Sequence, residues 1–207
     1  MTVTVRPYTL KDFDGLIDIQ REAFPPPFPE ELWWSREQIA SHIDSFPEGA
    51  MVAEWNGKIV GSATSLIIHY DGSPHTWAEV ADDGYIRGSH SPDGDSLYGI
   101  DICVRPSFRG KGIAKALYEA RKKLVMHLGL KRFVAGCRIP GFHRYAHDMD
   151  ADEYVRRVTN EEIYDMVLSF MIKQGLTPLQ ILDQYVEDEE SQNKAVLVEW
   201  GNPIVKL

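Results

Sequence analysis

The feature that most constrains the fold is an uninterrupted succession of a strand, a glycine-rich basic turn and a long helix. Residues 97–104 are mostly apolar and predict a buried strand. After the turn at residues 109–112, apolar residues recur at helical spacing until Gly129, which predicts a helix that ends there. A chain with this succession at its centre is expected to fold as an α/β domain.

The basic turn has the chemistry of an anion site. The first N–H groups of a helix lack internal acceptors and lie at the positive end of the helix dipole, so several can converge on one phosphate. Gly110 and Gly112 remove side-chain obstruction, while Arg109 and Lys111 add positive charge. The alternative is a tight connection with two solvated cations. The run lacks the spacing of a P-loop or a dinucleotide-binding fingerprint, which disfavours a mononucleotide or dinucleotide site.

Residues 104–114 resemble the acetyl-CoA motif of the GNAT N-acetyltransferase family, whose core is [Arg/Gln]-x-x-Gly-x-[Gly/Ala]. Arg109, Gly112 and Ala114 fill its three defining positions. The resemblance implies the GNAT acyl-CoA N-acyltransferase fold, an α/β fold with a central mixed β-sheet of about seven strands flanked by helices. We expect residues 1–207 to form one such domain.

The same resemblance implies that acetyl-CoA is the cosubstrate and lies where two central strands splay apart, around Ile102 and Phe133. Backbone groups of residues 102–104 are then expected to pair with its pantetheine arm as an added strand would, and the amides of residues 109–114 to hold its diphosphate. The residues that become cofactor-binding on this assignment are Ile102, Cys103, Val104, Arg109, Gly110, Lys111, Gly112, Ile113 and Ala114. Because Cys103 lies in an apolar strand, we expect an inert thiol rather than a nucleophile.

Before this central unit the sequence predicts a strand at residues 3–5, two helices and a hairpin. Residues 9–12 and 35–38 have the spacing of helix capping boxes, and Pro25-Pro26-Pro27 stops the first helix. Asn56-Gly57 between two strand-like runs predicts a tight antiparallel hairpin.

Residues 70–96 are rich in Gly, Asp, Ser, Pro and His and have no sustained period, so they predict a long excursion that either covers a site or only decorates the surface. The elements predicted after the central helix are a buried strand at 133–137, a polar and aromatic segment at 140–160, a helix at 161–173, and strands at 179–186 and 194–200.

A narrower likeness appears in the last third of the chain. Residues 138–145, 151–155, 168–170 and 188–191 are similar to the GNAT domain that is joined to a nitrilase-like carbon-nitrogen hydrolase in some bacterial proteins. This likeness narrows the fold to one subgroup of GNAT domains and implies no particular acceptor substrate.

Three residues are candidates for proton transfer at the acceptor side, namely Asp101, His143 and Tyr145. Asp101 is the ionisable group of its apolar strand and could accept the amine proton. Because side chains alternate along a strand, the alternative is that Asp101 points away from the cleft, into solvent or into a capping role. His143 and Tyr145 follow a strand that ends near Ile139 and are expected at the mouth of the cleft. His143 with His147 has metal-ligand spacing only on a helix with further ligands, so no metal is expected.

The family often places a tyrosine four residues before the Gly-[Phe/Leu] that ends its last helix, where the hydroxyl protonates the departing thiolate. Counting back from Gly175 gives Met171, which has no proton to donate. Tyr164 supplies that hydroxyl only if the helix has a different register. The alternative to an acetyltransferase is therefore a non-catalytic acyl-CoA-binding or regulatory domain.

Composition narrows the partners. The formal net charge of −9 argues against a non-specific nucleic-acid binder and mildly favours an amine, although net charge usually reflects solubility alone.

No window approaches the ~20 apolar residues of a membrane span, so a cytoplasmic location is the default. Cys103 and Cys137 lie in apolar runs and are expected to be reduced. The expected partner is a small-molecule or peptide amine, with neither nucleic acid nor membrane, and the family resemblance makes a homodimer plausible.

Overall fold

A computed structural model describes residues 3–26 and 28–205 of the chain. The strands in these ranges are β1 Val3–Pro7, β2 Ala50–Trp55, β3 Lys58–Ile68, β4 Ser96–Val104, β5 Arg132–Arg138, β6 Thr177–Leu182 and β7 Ala195–Gly201. The α-helices are α1 Phe13–Ala23, α2 Arg36–Ser45, α3 Trp77–Ala81, α4 Ile113–Leu128, α5 Ala151–Thr159 and α6 Leu168–Lys173. None of these described helices combines the length and apolar character needed to cross a membrane.

The strands form one sheet in the order β1-β2-β3-β4-β5-β7-β6. Neighbouring strands run antiparallel except β4 and β5, which are parallel and are connected through α4. The predicted mixed sheet flanked by helices is confirmed.

Helices α1 and α4 cover opposite faces of this sheet. Val52 of β2 belongs to the same core cluster as Leu16 of α1, whereas the next residue, Ala53, belongs to a second cluster with Leu117 of α4. Because successive side chains of a strand point to opposite faces, the two helices lie on either side of β2. The sheet is thus the middle layer of a three-layer domain.

The local signals in the first third of the chain are confirmed. Asn56 and Gly57 have φ values of 51° and 76°, as a tight hairpin turn requires. The hydroxyl of Ser35 accepts a hydrogen bond of 3.1 Å from the amide of Gln38, and the side-chain oxygen of Gln38 accepts one of 2.8 Å from the amide of Ser35. Helix α1 ends just before the prolines, of which Pro27 lies outside the described residues.

The helix predicted at residues 161–173 is wrong over its first half. Glu161 has a φ of 62°, which an α-helix excludes. Helix α6 begins only at Leu168, because the buried carboxylate of Asp165 accepts hydrogen bonds of 2.9 Å from the amides of Val167 and Leu168.

Two segments that read as irregular contain short helices. Within residues 140–160, α5 starts where the Asp150 carboxylate accepts a hydrogen bond from an amide of the first turn. Within residues 70–96, α3 starts where the Thr76 hydroxyl caps its first turn in the same way. In both segments a capping residue starts a helix although the apolar residues show little helical periodicity.

Candidate functional site

Strands β4 and β5 part in the middle of the sheet. They pair from Ser96 opposite Arg132 to Gly99 opposite Ala135, and no pairing between them continues beyond that point in the described residues. The opening expected around Ile102 is present. On β5, however, its wall begins after Ala135, so the expected neighbour Phe133 lies in the paired region.

A β-bulge in β4 lies where the strands part. Gly99 is opposite Ser65 of β3 and Asp101 is opposite Thr64, so Ile100 is an extra residue without a partner on β3. A bulge bends its strand and redirects the side chains that follow. The carbonyl of Ile100 accepts a hydrogen bond of 2.9 Å from the indole N–H of Trp77, which comes from the excursion at residues 70–96.

A cavity of about 160 Å³ occupies the opening. The side chains that give it chemical character are Gln20, Trp34, Trp77, Asp101, Arg121, Arg138, Met171 and Tyr185. It therefore combines an apolar wall with one carboxylate, two guanidinium groups, one amide and one phenol, a composition typical of sites that orient a small ligand.

The bulge brings the Asp101 carboxylate to this cavity rather than to solvent. Its Oδ2 atom is buried and has no hydrogen-bond partner among the described residues. Burial raises the pKa of Asp101 to about 7, and Arg121 and the Trp34 indole lower it by less. The Trp34 N–H is buried near this carboxyl group but makes no hydrogen bond of normal geometry with any of the described residues. A buried carboxyl group that titrates near neutrality can hold or release a proton at the site.

Arg121 of α4 holds the bulge in place. Its buried guanidinium donates to the Ser65 hydroxyl at 3.0 Å, to the Thr64 carbonyl at 2.8 Å, and to the carbonyl of Asp101. These acceptors lie on both strands at the register shift, so the side chain fixes the position of Asp101. We did not predict this role; the available signal was an arginine on the apolar stripe of the helix, four residues after Leu117.

At the other end of the opening, the turn before α4 presents backbone to solvent. Gly110 and Gly112 have φ values of 76° and 81°, and each has open space where a Cβ would stand. Helix α4 begins at Ile113, so its first amides lack intrahelical acceptors. The amide of Arg109 is already bonded to the Pro106 carbonyl at 3.2 Å, which leaves only the side chain of Arg109 for a ligand. This donor set fits an anion such as a diphosphate.

Residues 102–104 of β4 lie between this turn and the cavity. One edge of this segment pairs with residues 61–63 of β3, and the other faces the opening. Cys103 is buried with its Sγ atom 3.2 Å from the Ser62 hydroxyl, and burial raises the pKa of the thiol. A thiol held in its neutral form is a poor nucleophile.

The structure does not bring His143 and Tyr145 to Asp101. His143 is exposed and its Nδ1 atom donates to the Pro140 carbonyl at 2.7 Å. Tyr145 packs against Tyr154, with ring centroids 5.6 Å apart. Neither residue lines the cavity, and their catalytic role stays a prediction.

Met171 and Tyr164 differ sharply in position. Met171 is buried and lines the cavity, whereas the side chain of Tyr164 is 71% exposed. The phenol that does line the cavity is Tyr185, from the loop after β6. Sequence reasoning missed it because residues 179–186 read as one strand, while β6 ends at Leu182.

Comparison with known proteins agrees with this geometry. Residues 13–147 match the family described as "Acetyltransferase (GNAT) family". The chain is 45% identical over 206 residues to the uncharacterized N-acetyltransferase YkwB of Bacillus subtilis (strain 168), covering 99% of this chain and 91% of that protein. It is 44% identical over 203 residues to the probable hydrolase YhcX of the same strain, covering 97% of this chain but only 39% of that protein.

Two solved structures share the fold. The loading GNATL domain of CurA from Lyngbya majuscula superposes with a TM-score of 0.83 at 21% identity, covering 99% of this chain and 100% of that domain. The GphF GNAT-like decarboxylase in complex with isobutyryl-CoA superposes with a TM-score of 0.74 at 20% identity, covering 96% and 99%. Both likenesses concern the fold alone.

Proposed function

The chain belongs to the acetyltransferase (GNAT) family, and from that premise we propose that it is an acetyl-CoA-dependent N-acetyltransferase acting on an amine of a small molecule or peptide. The observation that carries the proposal is the Asp101 carboxyl group beside the cavity where β4 and β5 part, because its Oδ2 atom is buried and has no hydrogen-bond partner among the described residues. A binding module has no need for a proton acceptor at that position.

The residues proposed to hold acetyl-CoA follow the opening from the cavity to the start of α4. The free edge of residues 102–104 would pair with the pantetheine arm, and Gly110, Lys111, Gly112, Ile113 and Ala114 would surround the diphosphate together with the Arg109 side chain. When bound, acetyl-CoA supplies an acetyl group activated as a thioester. The family resemblance and the acyl-CoA bound by GphF support this assignment.

The chain's own residues then position and deprotonate the acceptor. Asp101 accepts a proton from the amine, and Arg121 keeps the carboxylate in place through the bulge. Transfer is direct, since the neutral Cys103 thiol is not a nucleophile. Positioning of two reactants contributes on the order of 7 kcal/mol or more to lowering a barrier, so few catalytic groups are needed.

A second candidate is a non-catalytic acyl-CoA-binding or regulatory domain. Met171 favours it, because this buried thioether occupies the cavity wall where the family often has a proton-donating tyrosine. The identity to the probable hydrolase YhcX over 39% of its length supports the kinship with GNAT domains joined to a hydrolase that we proposed from residues 138–145, 151–155, 168–170 and 188–191. This kinship indicates no acceptor.

Thiol release separates the two candidates. The unsubstituted protein is incubated with acetyl-CoA and a panel of polyamines, amino acids and peptides with free N-termini, and CoA thiol is measured together with acetylated product. We expect thiol and product to appear in equal amounts for at least one amine. Calorimetric binding of CoA without thiol release above background for any amine would favour the regulatory domain.

A further inference from the structure

A chain of three hydrogen-bonded side chains connects the cavity to a second pocket on the surface. The Tyr185 hydroxyl lies 3.1 Å from that of Tyr98, which lies 2.7 Å from Nε2 of His75. Tyr185 lines the cavity, and His75 lines a surface pocket of about 240 Å³ that also contains Asp71 and Glu79. The two phenols are buried, and His75 is half-buried.

Several contacts hold Tyr185 in this position. Its ring and hydroxyl occupy the space that a Cβ on Gly136 would take, at the first residue of β5 beyond the paired region. Its backbone carbonyl accepts a hydrogen bond of 2.7 Å from the amide of Trp77. The hydroxyl is therefore fixed beside the opening.

The hydrogen-bond acceptors give the chain a direction. The Ser73 carbonyl lies 2.9 Å from Nδ1 of His75 and can only accept, so Nδ1 carries the proton of the neutral ring. Nε2 then accepts the proton of the Tyr98 hydroxyl, and the Tyr98 oxygen accepts that of Tyr185. In this order the Tyr185 hydroxyl donates to Tyr98 and accepts from no other side chain among the described residues.

We propose that the chain from Tyr185 through Tyr98 to His75 is an exit route for the proton that a cationic amine must lose before it can be acetylated. The inference rests on the proposed acetyltransferase function and names the acceptor class as amines that are protonated in solution. It makes Tyr185 a proton-accepting catalytic residue and His75 a residue that acts through it.

The proton balance requires such a route. An alkylammonium loses two protons when its nitrogen bonds to the acyl carbon and the carbon–sulfur bond breaks. One of them, taken up by Asp101, returns to the thiolate sulfur of CoA, so one leaves the site in each turnover. It passes to the Tyr185 oxygen as the Tyr185 proton moves to Tyr98 and the Tyr98 proton moves to His75.

The surface pocket is suited to release this proton. The titratable groups that line this pocket beside His75 are His69, Tyr70, Asp71 and Glu79, and the rings of Tyr98 and Tyr185 lie against the imidazole. Asp71 and Glu79 are exposed, so this side of the ring is open to water. The imidazolium then loses a proton to water, and the chain resets by rotation of both hydroxyls and exchange of the ring tautomer.

The first test needs no turnover. In the full chain with ¹⁵N-labelled histidine, NMR spectra assigned by comparison with His75→Gln report which ring nitrogen carries the proton. We expect the Nδ1–H tautomer for neutral His75. The Nε2–H tautomer would reverse the direction of the hydrogen bonds from Tyr185 to His75 and overturn the proposal.

The second test uses the amine that gives the fastest thiol release. Tyr185→Phe keeps the ring over Gly136 and is expected to lower kcat at least about tenfold with the KM for acetyl-CoA nearly unchanged. His75→Ala should lower kcat similarly, and added imidazole should restore it through the surface pocket. His127→Ala, at an exposed residue of α4, is the control and should behave as the unsubstituted protein does.

The outcomes are distinguishable. If the unsubstituted protein releases no thiol with any amine, the proposed function fails and the exit route fails with it. If it turns over and Tyr185→Phe keeps full kcat, or imidazole does not rescue His75→Ala, only the exit route is overturned.

Discussion

The indole N–H of Trp77 donates a hydrogen bond of 2.9 Å to the carbonyl of Ile100, the residue at which β4 bulges. The excursion at residues 70–96 therefore takes part in the site, because it closes one wall of the cavity and satisfies a carbonyl that the bulge leaves without a strand partner. Of the two interpretations of this excursion, coverage of a site is the one that its geometry favours.

Replacing Trp77 by Phe tests this contact. The variant leaves the Ile100 carbonyl without its donor, and we expect a loss of about 1–3 kcal/mol in the free energy of unfolding, measured by urea denaturation, together with a lower kcat. Trp33→Phe is a matched control, since the Trp33 N–H is buried without a partner among the described residues. Equal losses in both variants would contradict the proposed role of the hydrogen bond.

The pH dependence of stability tests the burial of Asp101. Because the pKa of this group is about 7 in the folded protein and 3.8 ordinarily, the folded state binds an extra proton between these values. The free energy of unfolding should therefore fall as pH rises from about 4 to about 7 and show no further loss from this group at higher pH.

Asp101→Asn should remove that part of the slope and gain stability over the unsubstituted protein at about pH 8. Asp44→Asn, at an exposed position, should leave the slope unchanged. Parallel curves for Asp101→Asn and the unsubstituted protein would show that Asp101 is not buried as described.

A bulky residue in the turn before α4 tests the diphosphate site. Gly112→Val places a side chain over the backbone that faces the proposed ligand, and the acetyl-CoA dissociation constant should rise at least about tenfold by calorimetry. The φ of 81° also makes the substitution strained. Gly57→Val is the control for that strain, because Gly57 has a φ of 76° and open space but lies in the distant hairpin. Unchanged binding by Gly112→Val would refute the assignment.

The features that sequence reasoning predicted correctly depend on residues close together in the chain. The Asn56-Gly57 turn and the capping box of Ser35 with Gln38 are local hydrogen-bond and φ requirements. The start of α4 follows from a glycine-rich turn next to a periodic apolar stripe. These local structures can be predicted from the sequence because they do not depend on contacts with distant residues.

The errors and omissions depend on contacts between distant residues. Alternation alone left open whether Asp101 faces solvent, and the answer comes from the register of β4 against β3. The predicted last helix is absent over its first half, because the buried carboxylate of Asp165 binds the amides of Val167 and Leu168 and starts the helix there. Tyr185 lies 87 positions from Tyr98, and no local pattern brings the two hydroxyls together.

The most direct test of the central claim compares thiol release by the unsubstituted protein and by Asp101→Asn, with the responsive amine and saturating acetyl-CoA. If Asp101 is the proton acceptor of an acetyltransferase, the Asn variant should bind acetyl-CoA with a nearly unchanged dissociation constant and lose about 10²–10⁴-fold in kcat. Turnover by Asp101→Asn at the unsubstituted rate would contradict the account.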